Sequence, residues 1–462
     1  MTRALALQIA PLLVLVSSGA ARAQPSAGAD PVCATTRCVA REHDPDNPVL
    51  LLSRALLAPP RLLFRTATEV LAIAPRLEDK YHLRRTATDF FFDDARRYGL
   101  YPTAFYETGF GPNVGLRFVH RDLFWKREQL LLRVGFGGSY DQIYEAKLDS
   151  GARWRAVRLS FGVRYRLMDH GRFFGIGNAD EVDVGEVETP LPALDPEAAV
   201  STQYRSEVLQ TQFGGSIGLG RAVRLDVSEV LRQQRLSSGP EADELWVPEV
   251  YVGGQVLGFE RDLVDAYSEV ALRWDDRVRK RADLPPALPS AGLRLFAWSG
   301  LQHALTEPQR AFGRVGLDVQ PFIDLYRGDR VLRLRARTAW VIGDLDRIAF
   351  VDLPSLGGAR LLRGYGGARF RGRGTLLATV EYRYPVQENL ASYLFVDAGR
   401  AYVRLGDVSI ASLRDARVGF GAGLYVYNRN RATLRLQLAS SIDGGLFFAL
   451  QTGTTDDLGP TY

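Results

Sequence analysis

Two carboxylates in the C-terminal third of the chain are spaced to hold a cation between them. Glu381 alternates with apolar residues in the stretch 380–384, and Asp397 does so in the stretch 394–398. Because successive side chains of a β-strand point to opposite faces, we expect both carboxylates on the polar face of neighbouring strands. An arginine could bind them in two-point contacts that lysine does not reproduce. Alternatively, Glu381 and Asp397 are ordinary polar residues of that face.

The motifs that would indicate catalysis lack the structural context they need. Residues 214–218 read Gly-Gly-Ser-Ile-Gly, but a nucleophile elbow requires a strand, a sharp turn and a helix. Here Ser216 falls within an alternating strand pattern. The five histidines are scattered without metal-ligand spacing. We therefore expect the chain not to be an enzyme and to carry no metal or other cofactor.

Alternation of apolar and polar residues dominates the chain from residue 101 onward. In residues 157–167 the apolar side chains fall on one face, and Arg158, Arg164 and Arg166 fall on the other. Similar segments of about ten residues recur, which is the length that a tilted strand needs to cross a bilayer. Because lipid cannot satisfy an open sheet edge, such strands must close on themselves. The pattern predicts an all-β fold, a transmembrane antiparallel β-barrel of about 16 strands.

The strands of this barrel can be placed along the chain with one ambiguity, because the eighth has candidate centres near Val252 and Leu272. The mean hydropathy of −0.10 does not argue against a membrane location, since only every second residue of a barrel strand faces lipid. The other expected centres lie near Phe105, Leu116, Leu132, Tyr144, Phe161, Phe213, Leu225, Phe296, Leu317, Leu334, Val380, Phe395, Phe420, Leu436 and Phe448.

The N-terminal 100 residues differ from the rest. Residues 1–23 have the basic start, apolar run and small-residue cleavage site of a signal peptide, although a membrane anchor is the alternative. Residues 24–100 are rich in Pro and Ala, and their spacing predicts a partly helical segment. It would lie on the periplasmic side, plug the barrel or pack on a neighbour. Cys33 and Cys38 could form a disulfide in an oxidising periplasm or stay free, and a metal site is disfavoured. Residues 101–462 form the barrel.

Three long polar stretches are predicted to be loops, at residues 177–200, 277–290 and 343–373. Counting hairpins from a periplasmic N-terminus, we expect all three outside the cell, where barrel loops are long. The first holds the acidic residues Asp180, Glu181, Asp183, Glu186 and Glu188. They are either solvated or able to bind divalent cations. The net charge of +5 is spread along the chain without a basic block, so we expect no nucleic-acid partner.

The sequence of the third loop resembles the Omp85 superfamily, the BamA/TamA family with its bacterial surface antigen D15 domain. In that family a long extracellular loop folds back into the lumen and carries a [VLI]-Arg-Gly-[FY] tetrad at its tip. Here the tetrad reads Leu362, Arg363, Gly364 and Tyr365. Residues 380–386 and 395–402 are similar to the strands that follow the loop in the family, and residues 173–178 give a weaker match.

The resemblance implies that the tetrad locks the loop inside the barrel. Arg363 would pair with the lumen carboxylates Glu381 and Asp397, Gly364 would allow a tight turn, and Tyr365 would pack on the wall. The alternative for Arg363 is a solvated loop arginine. The better-known members carry periplasmic POTRA modules, and residues 24–100 are too short and too helical for several of them. We therefore expect a barrel without POTRA modules.

The function implied is assistance to the insertion or translocation of proteins at the outer membrane. It would use a weak lateral seam between the first and last strands, and the glycines Gly419, Gly421, Gly423, Gly444 and Gly445 are read as signs of that weakness. Partners would be outer-membrane lipids, lipopolysaccharide and unfolded outer-membrane protein clients. The alternative is a passive pore or a lipid or small-molecule conduit, and a surface adhesion protein is a third reading. In every case the expected location is the cell outer membrane.

Overall fold

A computed structural model describes residues 97–452, apart from positions 110, 139–141, 152–153, 155, 240–244, 253–255, 257, 260, 283, 286–287, 307–309, 388 and 429–430. The expected signal peptide and the cysteines Cys33 and Cys38 lie outside the described residues. Most of the segment 24–100, up to residue 96, also lies outside the described residues.

The alternating segments form a closed barrel of sixteen strands, in which each strand is hydrogen-bonded to the next and the last is bonded to the first. All the pairs between neighbours are antiparallel. The strands are β1 (Tyr98–Glu107), β2 (Gly111–Arg121), β3 (Gln129–Phe136), β4 (Gln142–Asp149), β5 (Val157–Phe173), β6 (Thr202–Gly218), β7 (Val223–Ser237), β8 (Asp262–Asp275), β9 (Gly292–Ala304), β10 (Ala311–Tyr326), β11 (Arg330–Ile342), β12 (Gly374–Gln387), β13 (Leu390–Tyr402), β14 (Arg417–Asn428), β15 (Arg431–Ser441) and β16 (Gly444–Thr452).

The predicted fold class and strand count are confirmed. Each expected centre falls within one strand, and the eighth strand contains Leu272. The other candidate, Val252, lies in the connection between β7 and β8, just after the short helix α1 (Val247–Val250). Among the described residues, no helix has the length and apolar content to span a bilayer.

The barrel is apolar outside and polar inside. The register partners Val380 and Val396 are each 49% exposed on the outer wall, whereas the inward-facing Asp397, next to Val396 on β13, is 1% exposed. Arginines of β11 also point inward, and Arg335 is buried against Asp318. An outer wall of this kind has to face hydrocarbon rather than water, so the alternation seen in the sequence is that of a transmembrane barrel.

The sequence prediction that all three long loops share one end of the barrel is wrong. The connections 174–201 and 343–373 follow odd-numbered strands and lie at one rim, here called the upper rim. The connection 276–291 follows the eighth strand and lies at the opposite, lower rim, where β1 begins and β16 ends. After an even number of strands the chain has returned to the end at which it started. Charge and proline content identify a loop but carry no information about its side.

The junction between β1 and β16 closes the barrel. Among the described residues its register comprises three pairs, Phe105 with Gln451, Tyr106 with Leu450 and Glu107 with Ala449. Each of the other neighbouring pairs of strands shares at least eight. Because this junction joins the two ends of the barrel sequence, its formation brings together residues that are more than 300 positions apart.

A substitution on the outer wall tests the membrane orientation of the strands. Val396 lies at the middle of β13, and Leu219 lies in the lower-rim turn between β6 and β7. We expect Val396→Arg to lower the free energy of unfolding in lipid vesicles by about 2–4 kcal/mol, and Leu219→Arg by about 0–1 kcal/mol, because the cost of a cation falls towards the membrane surface. Urea titration followed by gel mobility measures both. Equal effects would contradict the orientation.

Candidate functional site in the barrel lumen

Arg363, on the in-folded connection between β11 and β12, lies at the centre of a group of ionic contacts in the lumen. Its Nε and Nη2 atoms donate to the two carboxylate oxygens of Asp397, each over 2.7 Å. Its Nη1 atom donates to Oε2 of Glu381 over 2.9 Å. Its backbone N–H also donates to Asp397, over 2.9 Å. The structure therefore brings together the three charged residues that the sequence singled out.

The strands β12 and β13 position the two carboxylates. Glu381 pairs in register with Phe395, and Asp397 pairs with Thr379, so the two acids lie on adjacent strands and face the same side. The guanidinium of Arg363 lies over the Phe395 ring at 3.5 Å from its centroid. The Phe395 ring thus covers one face of the guanidinium, and the carboxylates accept hydrogen bonds at its edge.

Burial sets the energetics of this contact. Arg363 and Glu381 are 4% exposed, and Asp397 is 1% exposed. Burial alone would lower the pKa of Arg363, but Asp397 and then Glu381 outweigh it and raise that pKa above its ordinary value. Arg333 adds a second cation, 3.5 Å from the other oxygen of Glu381. Charges so shielded are costly when one partner is missing, so the arrangement favours a single position of the loop.

The other tetrad residues shape the backbone around Arg363. Leu362 is fully buried in an apolar cluster with Leu356, Phe370 and Leu377. Gly364 has φ +96°, and a Cβ atom there would lie 2.2 Å from the carbonyl oxygen of Ser440. The Tyr365 hydroxyl donates to Asp443 over 2.9 Å. Burial and the neighbouring Asp443 raise the pKa of Tyr365 to about 12.

A second anchor of the same connection was missed by the sequence analysis. The carboxylate of Asp352 accepts hydrogen bonds from Arg232 on β7 over 2.7 and 3.0 Å, and from Arg314 on β10 over 2.7 Å. Arg232 also donates to Asp265 of β8 over 2.6 Å. Burial alone would raise the pKa of Asp352, but the guanidiniums of Arg232 and Arg314 outweigh it and lower the pKa to about 2. No specific sequence signal indicates this anchor, because Arg232 is one of three arginines of β7 and Arg314 is the one arginine of β10.

The tip of the connection also reaches the strands beside the barrel closure. The backbone N–H of Ala359 donates to Oε1 of Glu107 on β1 over 2.8 Å. The side chain of Gln437 on β15 donates to the carbonyl of Ala359 over 3.4 Å. Arg335 on β11 donates to the carbonyl of Arg360 over 3.2 Å. One loop segment thus contacts walls on several sides of the lumen.

Solved structures offer a comparison for this architecture, whereas no protein-family model and no curated protein sequence matches the chain. BamA from Haemophilus ducreyi lacking POTRA domains 1–3 aligns with a TM-score of 0.55 at 13% identity, covering 78% of this chain and 70% of that one. CdiB from Acinetobacter baumannii and from Escherichia coli align with TM-scores of 0.47 and 0.49, at 13% and 10% identity. They are covered over 60% and 62% of their length, and 77% and 76% of this chain is aligned.

The BamA match agrees with the strand count and topology described above. The fold is similar to that of the BamA barrel. Residues 173–178, which gave the weaker sequence match, lie against the in-folded connection. The side-chain amide of Asn178 exchanges hydrogen bonds with the backbone of Ala401, over 2.7 and 3.2 Å. Gly177 forms a bridge with Arg371, and Arg369 lies over the Phe174 ring at 4.9 Å. The segment 173–178 and the in-folded connection, which are far apart in sequence, are therefore in contact.

The acidic stretch of the connection 174–201 is partly engaged with arginines of the in-folded connection and of β14. Glu181 lies 3.2 Å from Arg369, and Asp180 lies 2.6 Å from Arg417. Within the part of the chain that the structure describes, no group of three or more His, Cys, Asp or Glu residues is arranged to hold a metal ion. Ser216 of the Gly-Gly-Ser-Ile-Gly stretch lies in β6.

The lower-rim connection folds into the lumen. Its Leu284 and Leu288 are 3% exposed and pack against aromatic rings of β13 and β14, including Tyr393 and Tyr425. The guanidinium of Arg383, near the lower end of β12, donates to the carbonyl of Pro289 over 2.5 Å. The lumen is thus occupied from both rims. Sequence reasoning missed this, because the connection resembles an ordinary charged loop.

Three glycines of β14 have a role that the sequence analysis did not anticipate. A Cβ atom at Gly419 would lie 1.7 Å from the carbonyl oxygen of Arg363. At Gly421 it would lie 2.8 Å from the Phe395 ring, and at Gly423 it would lie 2.2 Å from the Tyr393 ring. These glycines therefore make room for the residues that fill the lumen. Their strand pairs with β13 and β15, away from the closure.

Removal of the Arg363 side chain tests the cost of the ionic contact. We expect Arg363→Ala to lower the free energy of unfolding by about 3–5 kcal/mol, because Glu381 and Asp397 are left buried with too little positive charge. Arg363→Lys should recover part of the loss. Arg404 is an exposed arginine of another upper-rim connection, and Arg404→Ala should change stability by less than about 0.5 kcal/mol. Urea titration in vesicles measures all three. An equal loss for Arg404→Ala would contradict a specific contact.

Two glycines of the same loop form a matched pair. Gly364 has a left-handed φ and lies against the backbone of Ser440, whereas a Cβ atom at Gly366 would meet nothing within 4 Å. We expect Gly364→Ala to displace the loop and expose it to protease, because the added methyl group cannot fit. Gly366→Ala should leave the digestion rate unchanged. Limited proteolysis of the folded barrel compares them, and similar rates would argue against the seating of Gly364.

The Asp352 anchor predicts a dependence of stability on pH. Its folded-state pKa is about 2 and its ordinary value is 3.8, so its contribution is complete above pH 3.8 and disappears as the pH falls through about 2. The difference in free energy of unfolding between wild type and Asp352→Asn should therefore be constant at neutral pH and shrink in that acidic window. Urea titrations at a series of pH values measure it. A difference that changes near neutral pH would exclude Asp352 as its source.

Proposed function

We propose that this chain is an outer-membrane barrel that assists the insertion or translocation of other proteins through a lateral seam between β1 and β16. The proposal is supported by the Omp85-type fold and by the resemblance of the tetrad, because Omp85 proteins handle protein substrates at the outer membrane. The upper rim would face the cell exterior and the lower rim the periplasm. Export would use the signal peptide of residues 1–23. Lipids and lipopolysaccharide of the outer membrane would surround the barrel.

One observation carries the proposal, namely the clamp that holds the in-folded loop against the wall while its tip contacts β1. Arg363 fixes the loop to β12 and β13 through buried charges. Ala359 then binds Glu107, a residue of the closing register. The loop therefore supports the end of β1 from inside the lumen, so that the barrel interior keeps its shape when the junction with β16 opens.

The opened edge would act as a template. Backbone N–H and C=O groups released from the β1–β16 register can pair with an extended segment of a client chain, which adds a strand to the sheet. Only three described pairs have to be exchanged to open this junction. At the start of β16, Gly444 and Gly445 have φ values of +92° and +83°, which favour glycine and shape the turn from β15 into β16. No bond is made or broken covalently, so the proposal requires no catalytic residue.

The occupied lumen weighs against the alternative of a permanently open pore. The connection 343–373 enters from the upper rim and the connection 276–291 enters from the lower rim. Salt bridges occupy the space between them, including Arg335 with Asp318 over 2.6 Å. A solute would have to displace at least one segment to pass. A steady, large conductance of the wild-type barrel in planar bilayers would favour the pore over the proposed function.

A crosslink across the junction tests the seam directly. Tyr106 and Leu450 are register partners between β1 and β16, and Leu272 and Ala297 are partners between β8 and β9. With Tyr106→Cys and Leu450→Cys oxidised, we expect the barrel in liposomes to lose its acceleration of the folding of an unfolded outer-membrane barrel, because the client cannot reach the edge. Reduction should restore it. The pair Leu272→Cys and Ala297→Cys should have no effect in either state.

The gel shift of the folded client measures the rate in each case. Wild-type barrel that fails to accelerate client folding would contradict the proposed function. An oxidised seam that remains fully active would contradict the lateral route alone, because the client would then enter elsewhere.

A further inference from the structure

A groove on the outer wall at the lower rim is lined mainly by apolar side chains. It has a volume of about 460 Å³ and lies between the connections 122–128 and 150–156. Its apolar lining consists of Phe124, Leu148, Trp154, Leu159 and Phe161, and its polar lining includes the carboxylates of Glu128 and Asp149, which accept backbone N–H groups of the two turns. A volume of this size falls in the range of small-molecule sites, which is about 300–1,000 Å³.

The turn that forms one wall of the groove is folded by its own carboxylates. Oε2 of Glu128, a residue only 4% exposed, accepts the backbone N–H groups of Phe124 over 3.2 Å and Lys126 over 2.9 Å. Oδ1 of Asp122 accepts the N–H of Arg127 over 2.8 Å. Trp125 and Arg127 are held at φ +60° and +62°, a left-handed conformation that is costly for such residues. The result is that Phe124 and Trp125 point outward, 56% and 79% exposed.

The turn that contains Gly151 packs closely against the turn 122–128. Gly151 has φ +60°, and a Cβ atom there would lie 2.1 Å from the carbonyl oxygen of Arg127. Only glycine can occupy this position, so the two turns approach more closely than side chains would allow. The groove between them is therefore formed by the close approach of two hairpin ends.

The groove continues the wall that faces lipid. Leu148 and Phe161 are register partners on the outer face, and the Phe161 ring lies 5.1 Å from that of Phe213, which is exposed on β6. Exposed tryptophans such as Trp125 and Trp154 are typical of the boundary between hydrocarbon and headgroups. The cations Lys126 and Arg127 are exposed on the same turn. The apolar side chains of the strands and the two cations of the turn at the rim match the acyl chain and the phosphate of an anionic lipid.

We propose that this groove is a binding site for an anionic glycerophospholipid of the lower-rim leaflet. One acyl chain lies against Leu148, Leu159 and Phe161, and the headgroup phosphate faces Lys126 and Arg127. The site does not depend on the seam or on client insertion. The choice of a phospholipid, rather than lipid A, rests on the proposed orientation, in which the lower rim faces the periplasmic leaflet.

Native mass spectrometry of the full chain in detergent, titrated with phosphatidylglycerol, tests the site. We expect one tightly retained lipid on the wild type and about a tenfold weaker affinity for Trp154→Ala, because the indole supplies a large share of the apolar contact. Trp274 is an equally exposed tryptophan at the lower end of β8, outside the groove, and Trp274→Ala should retain the lipid. Heat-dependent gel migration checks folding. If Trp154→Ala does not fold, Phe124→Ala on the exposed turn replaces it.

Two further experiments test the contributions of the headgroup and of the acyl chain separately. Lys126→Gln combined with Arg127→Gln should abolish the preference for phosphatidylglycerol over phosphatidylethanolamine while one lipid is still retained. Glycerol phosphate, which has the headgroup but no acyl chain, should not displace the bound lipid. Equal retention by Trp154→Ala and Trp274→Ala would overturn the proposal. So would retention of lipid A in place of phosphatidylglycerol, or no retained lipid on the wild type.

Discussion

The burial of the Arg363 guanidinium is the constraint on which the interior of this barrel depends. A cation taken out of water is tolerated only where carboxylates and hydrogen-bond acceptors surround it closely. Here Glu381 and Asp397 supply them, and both are positioned by the register of β12 and β13. The loop therefore has one low-energy position in the lumen. Apolar residues of the same volume could stabilise such a site as well, so the value of the ion pair lies in specifying where the loop goes.

The sign of charge along the loop orients it between two walls. Asp352, near its start, is an anion that binds arginines of β7 and β10, whereas Arg363 is a cation that binds acids of β12 and β13. Exchanging the ends of the loop would place like charges together in a shielded space, where repulsion is strong. The loop is thus held by two contacts of opposite polarity. Between them, Ala359 reaches Glu107 on β1, so the closure of the barrel is linked to the seating of the loop.

The sequence predicted the features that depend on the alternation of residues within one strand. It missed the features that depend on contacts between residues far apart in the sequence. Alternation identified the strands, because whether a residue faces lipid or lumen is decided by its position in its own strand. The same rule indicated that Glu381 and Asp397 face inward. It could not find the partners of Asp352, since Arg232 and Arg314 lie 120 and 38 positions away and look like any inward arginine. The side of the connection 276–291 required a correct count of all preceding strands.

The wall formed by β13 shows why the glycines of β14 do not indicate a weak seam. Phe395 supports Arg363 from the upper loop, and its neighbour Tyr393 packs in the cluster that receives Leu284 and Leu288 from the lower loop. Both loops press large groups against a single wall, and the adjacent strand has to leave space for them. Gly421 and Gly423 face the rings of Phe395 and Tyr393 in register, at positions where any Cβ atom would collide. Glycine enrichment in a barrel strand can therefore arise from a filled lumen, and its position relative to the closure decides which interpretation applies.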